Sequence, residues 1–187
     1  MRVSDIAAAT CSIARALGAI GDPWTLLILR ELFLGQRRFE EFQAQTGMAP
    51  YLLSRRLAKL AARDIVARVP YRQRPVRYEY RLTDKGRDLH AVVVALAGWG
   101  DRWASGPEGP PLTLIHKACG QETHPVLACS ACGKPVEAHD LRARIGPAMQ
   151  AERGLNRERF RARTRHAARP ARSNEPSPSD KTESAPK

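Results

Sequence analysis

Acidic side chains are in short supply in this chain. Nineteen Asp and Glu stand against 31 Lys and Arg in 187 residues, a formal net charge of +12 with a pI near 10.3. Clustered Lys and Arg attract phosphate backbones by releasing counterions, so duplex nucleic acid is the leading partner class. Charge alone would equally suit a basic protein at a membrane surface. Long apolar runs are missing as well. No stretch approaches the roughly 18 residues that a membrane span requires, so no membrane partner is expected. The apolar N-terminal stretch from Ile6 to Ile20 is interrupted by Arg15, and Asp5 stands where a secretory signal carries positive charge. A cytoplasmic location is therefore expected. There is no internal repeat and no glycine fingerprint for a nucleotide, which argues against an enzyme of that class. Cysteines number four. In a reducing compartment they point to metal or redox chemistry rather than to a disulfide frame.

Hydrophobic residues make up 43% of the chain, enough for a core in part of it. Patterned sequence covers residues 7–104. The stretch 105–111, Ser105-Gly106-Pro107-Glu108-Gly109-Pro110-Pro111, reads as a linker. A short cysteine-containing module follows over 112–141. The tail, 142–187, holds 12 Lys/Arg against 5 Asp/Glu and few large apolar residues. Such a composition predicts disorder, with a weak helix near Gln150–Arg163 as the alternative.

Helix signals punctuate the first segment. Ile13, Leu17 and Ile20 recur at helical spacing and stop at Gly21. Asp22-Pro23 is a good helix start, with an acceptor at the cap and proline where its missing N–H does no harm. That second helix carries Trp24, Leu27, Ile28 and Phe33 to a Gly35 stop. A short third helix holds Phe39 and Phe42 and closes at Gly47. Pro50 opens a fourth, with Leu52, Leu53, Leu57 and Leu60 on one face. Ile65–Val69 and Arg77–Leu82 read as a hairpin about the turn region Pro70–Val76. Thr83 caps a long final helix. The predicted fold class is mainly α with a small β-hairpin (α+β), in the element order of a winged helix-turn-helix.

The fourth helix carries the functional argument. Its leucines cluster on one side, leaving Tyr51, Ser54, Arg55 and Ala58 on the other. A major groove admits one helix and rewards Arg and hydroxyls beside a small residue. Arg55 and Tyr51 are the base-edge candidates, and Ser54 serves a base or a phosphate. Arg56, near the apolar edge, reads as a phosphate contact or a packing residue. In the hairpin, Arg68, Arg72, Arg74, Arg77 and Arg81 accompany a single acidic residue, Glu79, and two prolines lie in the turn region. A basic loop stiffened by proline fits a wing against the phosphate backbone or the minor groove. Arg37-Arg38, before the third helix, adds phosphate contacts. Leu89, Val92, Val93, Leu96, Trp99 and Trp103 make a stripe longer than a small domain needs. With the first helix it predicts a two-fold homodimer, and hence a pseudo-palindromic site. Packing of the tryptophans within the monomer is the alternative.

His116-Lys117-Ala118-Cys119-Gly120 and Cys129-Ser130-Ala131-Cys132-Gly133 are two copies of ligand-x2-ligand-Gly. Three thiolates and one imidazole satisfy a closed tetrahedral zinc site, and the glycines permit the tight turns. A module of this size has too little core to fold without a staple, so structural zinc is predicted. His124 competes with His116 for the fourth position.

Several blocks, in order, resemble the HxlR-type branch of winged-helix regulators, related to the MarR group. They are Cys11, Ile20-Gly21, Trp24-Thr25-Leu26-Leu27-Ile28-Leu29-Arg30-Glu31-Leu32 and Arg38-Phe39. Then come Leu53-Ser54-Arg55-Arg56-Leu57, Tyr78-Glu79-Tyr80-Arg81-Leu82-Thr83, Lys85-Gly86 and Trp99-Gly100. The resemblance implies dimeric regulators acting near promoters, more often as repressors, some answering to electrophiles or oxidants. It also implies that Cys11 falls at the position of a redox-sensing cysteine, with a small, half-buried helix residue as the alternative. The cysteine module resembles zinc-ribbon extensions behind some such domains. At Ala49-Pro50 the chain departs from the family, which often places a capping hydroxyl there. Two rival readings remain: a redox-active thiol protein, and a nonspecific nucleic-acid binder driven by the arginine-rich tail.

Overall fold

The computed structural model describes residues 9–167. The expected domain start at residue 7 and the end of the tail, 168–187, lie outside the described residues. The chain divides into two compact units at Ala143/Arg144. Among the described residues no helix is long and apolar enough to cross a membrane.

The first unit begins with α1 (Ser12–Ile20), α2 (Pro23–Phe33), α3 (Phe39–Thr46) and α4 (Pro50–Ala62). Asp22 caps α2 as its sequence demands, its side chain accepting from the Thr25 N–H at 3.2 Å with Pro23 in the first turn. Gly47 closes α3 in the left-handed conformation, φ 66°, which glycine adopts without steric cost. Ile28, Leu29 and Leu32 of α2 meet Phe42 of α3 and Leu53, Leu57 and Leu60 of α4 in one core, sealed by Met48, Ile65 and Val66.

The hairpin follows as β1 (Val66–Gln73) and β2 (Val76–Leu82), antiparallel with Val66 opposite Leu82 and Arg72 opposite Arg77. It is longer than the sequence reading predicts, because the ladder continues past Pro70 to a tight connection at Arg74-Pro75. Proline lacks the N–H for a ladder bond, and the register shifts between Pro70 and Arg72 to accommodate it. The segment before α3 joins the same sheet: Arg38 bridges to Glu79, and the Tyr80 N–H donates to the Arg37 carbonyl at 2.7 Å.

The long final helix is instead two pieces, α5 (Asp84–Arg87) and α6 (His90–Trp103). Thr83 caps only the first, accepting from the Gly86 N–H at 3.1 Å and donating to the Asp64 carbonyl at 2.7 Å. Gly86 lies against the Ile65 carbonyl so closely that a Cβ would stand 2.1 Å from its oxygen. That contact pins α5 to the base of the hairpin, whereas α6 packs on α2, with the Phe33 and His90 rings edge to face at 4.9 Å. One straight helix would have to satisfy both attachments at once. Beyond the linker, β3 (Leu114–Ile115) pairs with β4 (Glu122–Thr123), and a 3-10 turn spans Ala138–Asp140.

The second unit holds α7 (Pro147–Ala167). Within the tail, the helix named as the alternative to disorder forms over Pro147–Ala167, wider than Gln150–Arg163. Ala, Arg, Gln, Glu, Leu and Met dominate the segment, its one proline sits in the first turn, and Thr164 is its only β-branched residue. Helix propensity outweighs the shortage of core-forming residues.

Candidate nucleic-acid interface and cysteine module

Helix α4 separates its residues by face. Leu53, Leu57 and Leu60 are fully buried, while Tyr51, Ser54, Arg55 and Ala58 are exposed, as the periodicity predicts. Ala49 makes no side-chain cap, and Pro50 supplies the preset first turn in its place. The Arg55 guanidinium leans over Tyr51, 5.5 Å from the ring centroid, with Nη1 donating to the phenol oxygen at 3.4 Å. This holds two exposed hydrogen-bonding groups together at the front of the helix. Arg56 turns the other way. Its Nη2 lies 2.7 Å from the Asp22 carboxylate and its side chain is three-quarters covered. Packing, rather than a free phosphate-seeking side chain, describes its geometry.

Arg37 and Arg38 are exposed at the start of α3, and Glu41 accepts from both of their backbone N–H groups at 2.8 Å. Those two hydrogen bonds, first Arg37 and then Arg38, hold the Glu41 carboxyl below the usual glutamate range. The Arg38 guanidinium stacks on Tyr71 at 4.6 Å and Arg68 on Tyr78 at 3.6 Å. These aromatic seats escape the sequence reading, because each pairs residues from different elements: Arg38 before α3 with Tyr71 of β1, and Arg68 of β1 with Tyr78 of β2. Toward the tip, Arg72, Arg74 and Arg77 are all exposed, and Arg72 faces Arg77 across the ladder. Like charges directly opposite destabilise a hairpin unless an anion lies between them.

The apolar stripe of α6 is open. Val92, Leu96, Trp99 and Trp103 are 47%, 50%, 62% and 66% exposed, and Ile13 and Leu17 of α1 are 71% and 54% exposed. Among the described residues neither tryptophan is packed away within the monomer. Cys11 precedes α1 at its N-cap, half-buried, its carbonyl accepting from the Arg15 N–H at 3.1 Å.

In the cysteine module the two repeats form matching turns. The Gly120 N–H donates to the His116 carbonyl at 2.7 Å and the Gly133 N–H to the Cys129 carbonyl at 2.8 Å. Gly120 and Gly133 take left-handed φ values of 70° and 71°, open to glycine and strained for other residues. His116 Nδ1 lies 3.3 Å from Cys119 Sγ. Two ligands of one tetrahedral zinc, at about 2.0 Å for nitrogen and 2.3 Å for sulfur, stand at a similar separation. The Ala131 N–H, then the Cys132 N–H and thiol, hydrogen-bond Cys129 and hold its thiol below the ordinary range. His124 is exposed just after β4. Each pair is formed, but among the described residues no three metal-ligating side chains converge on one point.

Three buried-core helices, a helix presenting an exposed polar face, and a basic hairpin define a winged helix-turn-helix DNA-binding protein. A family model described as HxlR-like helix-turn-helix matches residues 19–107. The chain is 45% identical over 141 residues to an HTH-type transcriptional regulator of Mycobacterium tuberculosis, across 75% of this chain and 89% of that protein. It is 36% identical over 94 residues to another from Synechocystis, across 50% and 70% of the respective chains. The chain belongs to the HxlR-like family of helix-turn-helix transcriptional regulators. Among solved structures it is similar to PA1607, a candidate transcription factor, with TM-score 0.67, 35% identity, and coverage of 76% of this chain and 99% of that one. PA1374 of Pseudomonas aeruginosa, likewise a candidate transcription factor, gives 0.54 and 35%, covering 75% and 99%. A match of such length takes in the cysteine module as well as the winged helix.

Proposed function

We propose that this regulator is a sequence-specific repressor that binds a pseudo-palindromic duplex site as a homodimer. One observation carries the reading: α4 seals its leucine face in the core and leaves Tyr51, Ser54, Arg55 and Ala58 on its outer face. Arg55 and Tyr51 read base edges in the major groove, with Ser54 on a base or a phosphate. Arg37, Arg38, Arg72, Arg74 and Arg77 hold the phosphate backbone and fix register. Arg56 acts through Asp22, orienting α4 rather than touching DNA. The open stripe on α6, together with Ile13 and Leu17, supports an isologous two-fold interface. Such a dimer sets its recognition helices about 34–36 Å apart, one turn of DNA.

The same reading assigns structural zinc to His116, Cys119, Cys129 and Cys132. The donor set and the His116–Cys119 separation fit the metal, and bound zinc would supply a tetrahedral staple that draws the two pairs together. The matched turns at Gly120 and Gly133 support it.

Selection from a random duplex library at physiological salt tests the function. A two-fold motif with half-sites one turn apart is expected. Enrichment without a motif, fading as salt rises, would leave only nonspecific phosphate binding.

A further inference from the structure

Helix α7 carries six arginines and no lysine against two glutamates, Glu152 and Glu158. Four of the six, Arg153, Arg157, Arg161 and Arg165, stand at successive i,i+4 positions. They form one ladder with a guanidinium about every 6 Å of helix rise, drifting only about 40° per step. All four are exposed. Glu152 falls on the opposite side of the helix, as do Arg159 and Arg163, and Glu158 lies at the edge of the ladder. Like charges at i,i+4 destabilise an isolated helix. A row of them is favourable only against a line of negative charge.

We propose that the Arg153–Arg157–Arg161–Arg165 face of α7 is a second DNA-contacting surface, which grips the phosphate backbone of the duplex independently of base sequence. Duplex DNA is favoured because a strand presents a phosphate about every 3.4 Å of axis, and guanidinium forks bind phosphate oxygens in bidentate fashion. An anionic bilayer fits less well. An interfacial helix needs an apolar face beside its basic one, whereas Leu155 lies far around the helix from Phe160 and Met149. The inference rests on the DNA-binding reading for its partner, but not on any operator.

Two full-length variants test it. One replaces the ladder (R153Q/R157Q/R161Q/R165Q); the other removes the same four charges elsewhere (R142Q/R144Q/R159Q/R163Q). Glutamine is a good helix former, and far-UV circular dichroism verifies that both keep their helix. Binding to a 40-base-pair duplex of arbitrary sequence is measured against salt. The ladder variant should flatten the log–log salt slope by about 3–4 per protomer, and the control by about 1 or less. Equal flattening in both would reduce α7 to diffuse charge and overturn the proposal, as would no change in either. Ladder-dependent sedimentation with anionic phospholipid vesicles, without a change in DNA slope, would overturn it in favour of a membrane. A motif selected from the random library survives any of these failures, so the loss of this surface and the loss of the regulator reading are distinguishable.

Discussion

Arg56 reaches back from α4 to Asp22, 2.7 Å from the carboxylate that also caps α2 through the Thr25 N–H. One side chain thus caps the start of a core helix and braces α4, the proposed recognition helix. Asp22→Ala should lose both contacts and leave the partly buried guanidinium without its partner. Urea unfolding should show a loss of about 1–3 kcal/mol. An unchanged midpoint would mean that the pair braces nothing.

Arg55→Ala should behave differently from Arg56→Ala. Removing Arg55 should cost about 1–3 kcal/mol of DNA affinity and relax the selected motif at one base position, with folding stability nearly unaltered. Arg56→Ala should lower stability and leave the motif intact. Should the motif survive Arg55→Ala unaltered, Arg55 leaves the base-reading set.

Arg72 and Arg77 oppose each other in the wing. Arg77→Thr should relieve that repulsion and stabilise the free protein by about 0.2–1 kcal/mol. The same change should weaken binding evenly across sequences and flatten the salt slope by about 1. Arg74→Ala should act in the same even manner. A loss confined to particular sequences would place either residue at a base instead.

Purified protein should carry one zinc per chain by elemental analysis, and Cys129→Ser should release it. Titration of three freely reactive thiols in untreated protein, with no metal, would favour redox chemistry at the module. The His116→Asn and His124→Asn variants distinguish the two imidazoles, because only loss of the true ligand weakens retention of the metal.

Glu41 links stability to pH. Its folded pKa is depressed by the Arg37 and Arg38 N–H groups, so its contribution is in place above the unfolded pKa. That contribution disappears as pH falls through the folded value. Glu41→Gln should therefore be less stable at neutral pH, by only a few tenths of a kcal/mol because solvent screens so little-buried a carboxylate, and converge with the parent protein on acidification. A difference that is constant with pH would separate the cap from its charge.

The punctuation of the winged helix was legible because each signal is local. Asp22-Pro23, Gly47 and Pro50 act within a turn of their own positions, and the leucine spacing of α4 determines its buried face wherever the helix packs. Its exposed face, with Tyr51, Ser54 and Arg55, follows by subtraction. The matched turns at Gly120 and Gly133 are local in the same sense. The helical state of 147–167 was harder to read, since composition weighs core-forming capacity and propensity in opposite directions.

Other features depend on residues far apart in the chain. Between α5 and α6 the Leu89 N–H turns to the Gly86 carbonyl at 3.2 Å, beside the close approach of Gly86 to the Ile65 carbonyl, which no spacing in the sequence announces. The partner of Arg56, the rings beneath Arg38 and Arg68, and the joining of Arg37-Arg38 to the hairpin are likewise settled by tertiary packing. The sequence by itself determined which elements form and which faces they show, because helix caps, turns and hydrophobic period act over a few residues. Only the tertiary structure decided which arginines are held inward, stacked or opposed, because those energies depend on distances set when separate elements meet.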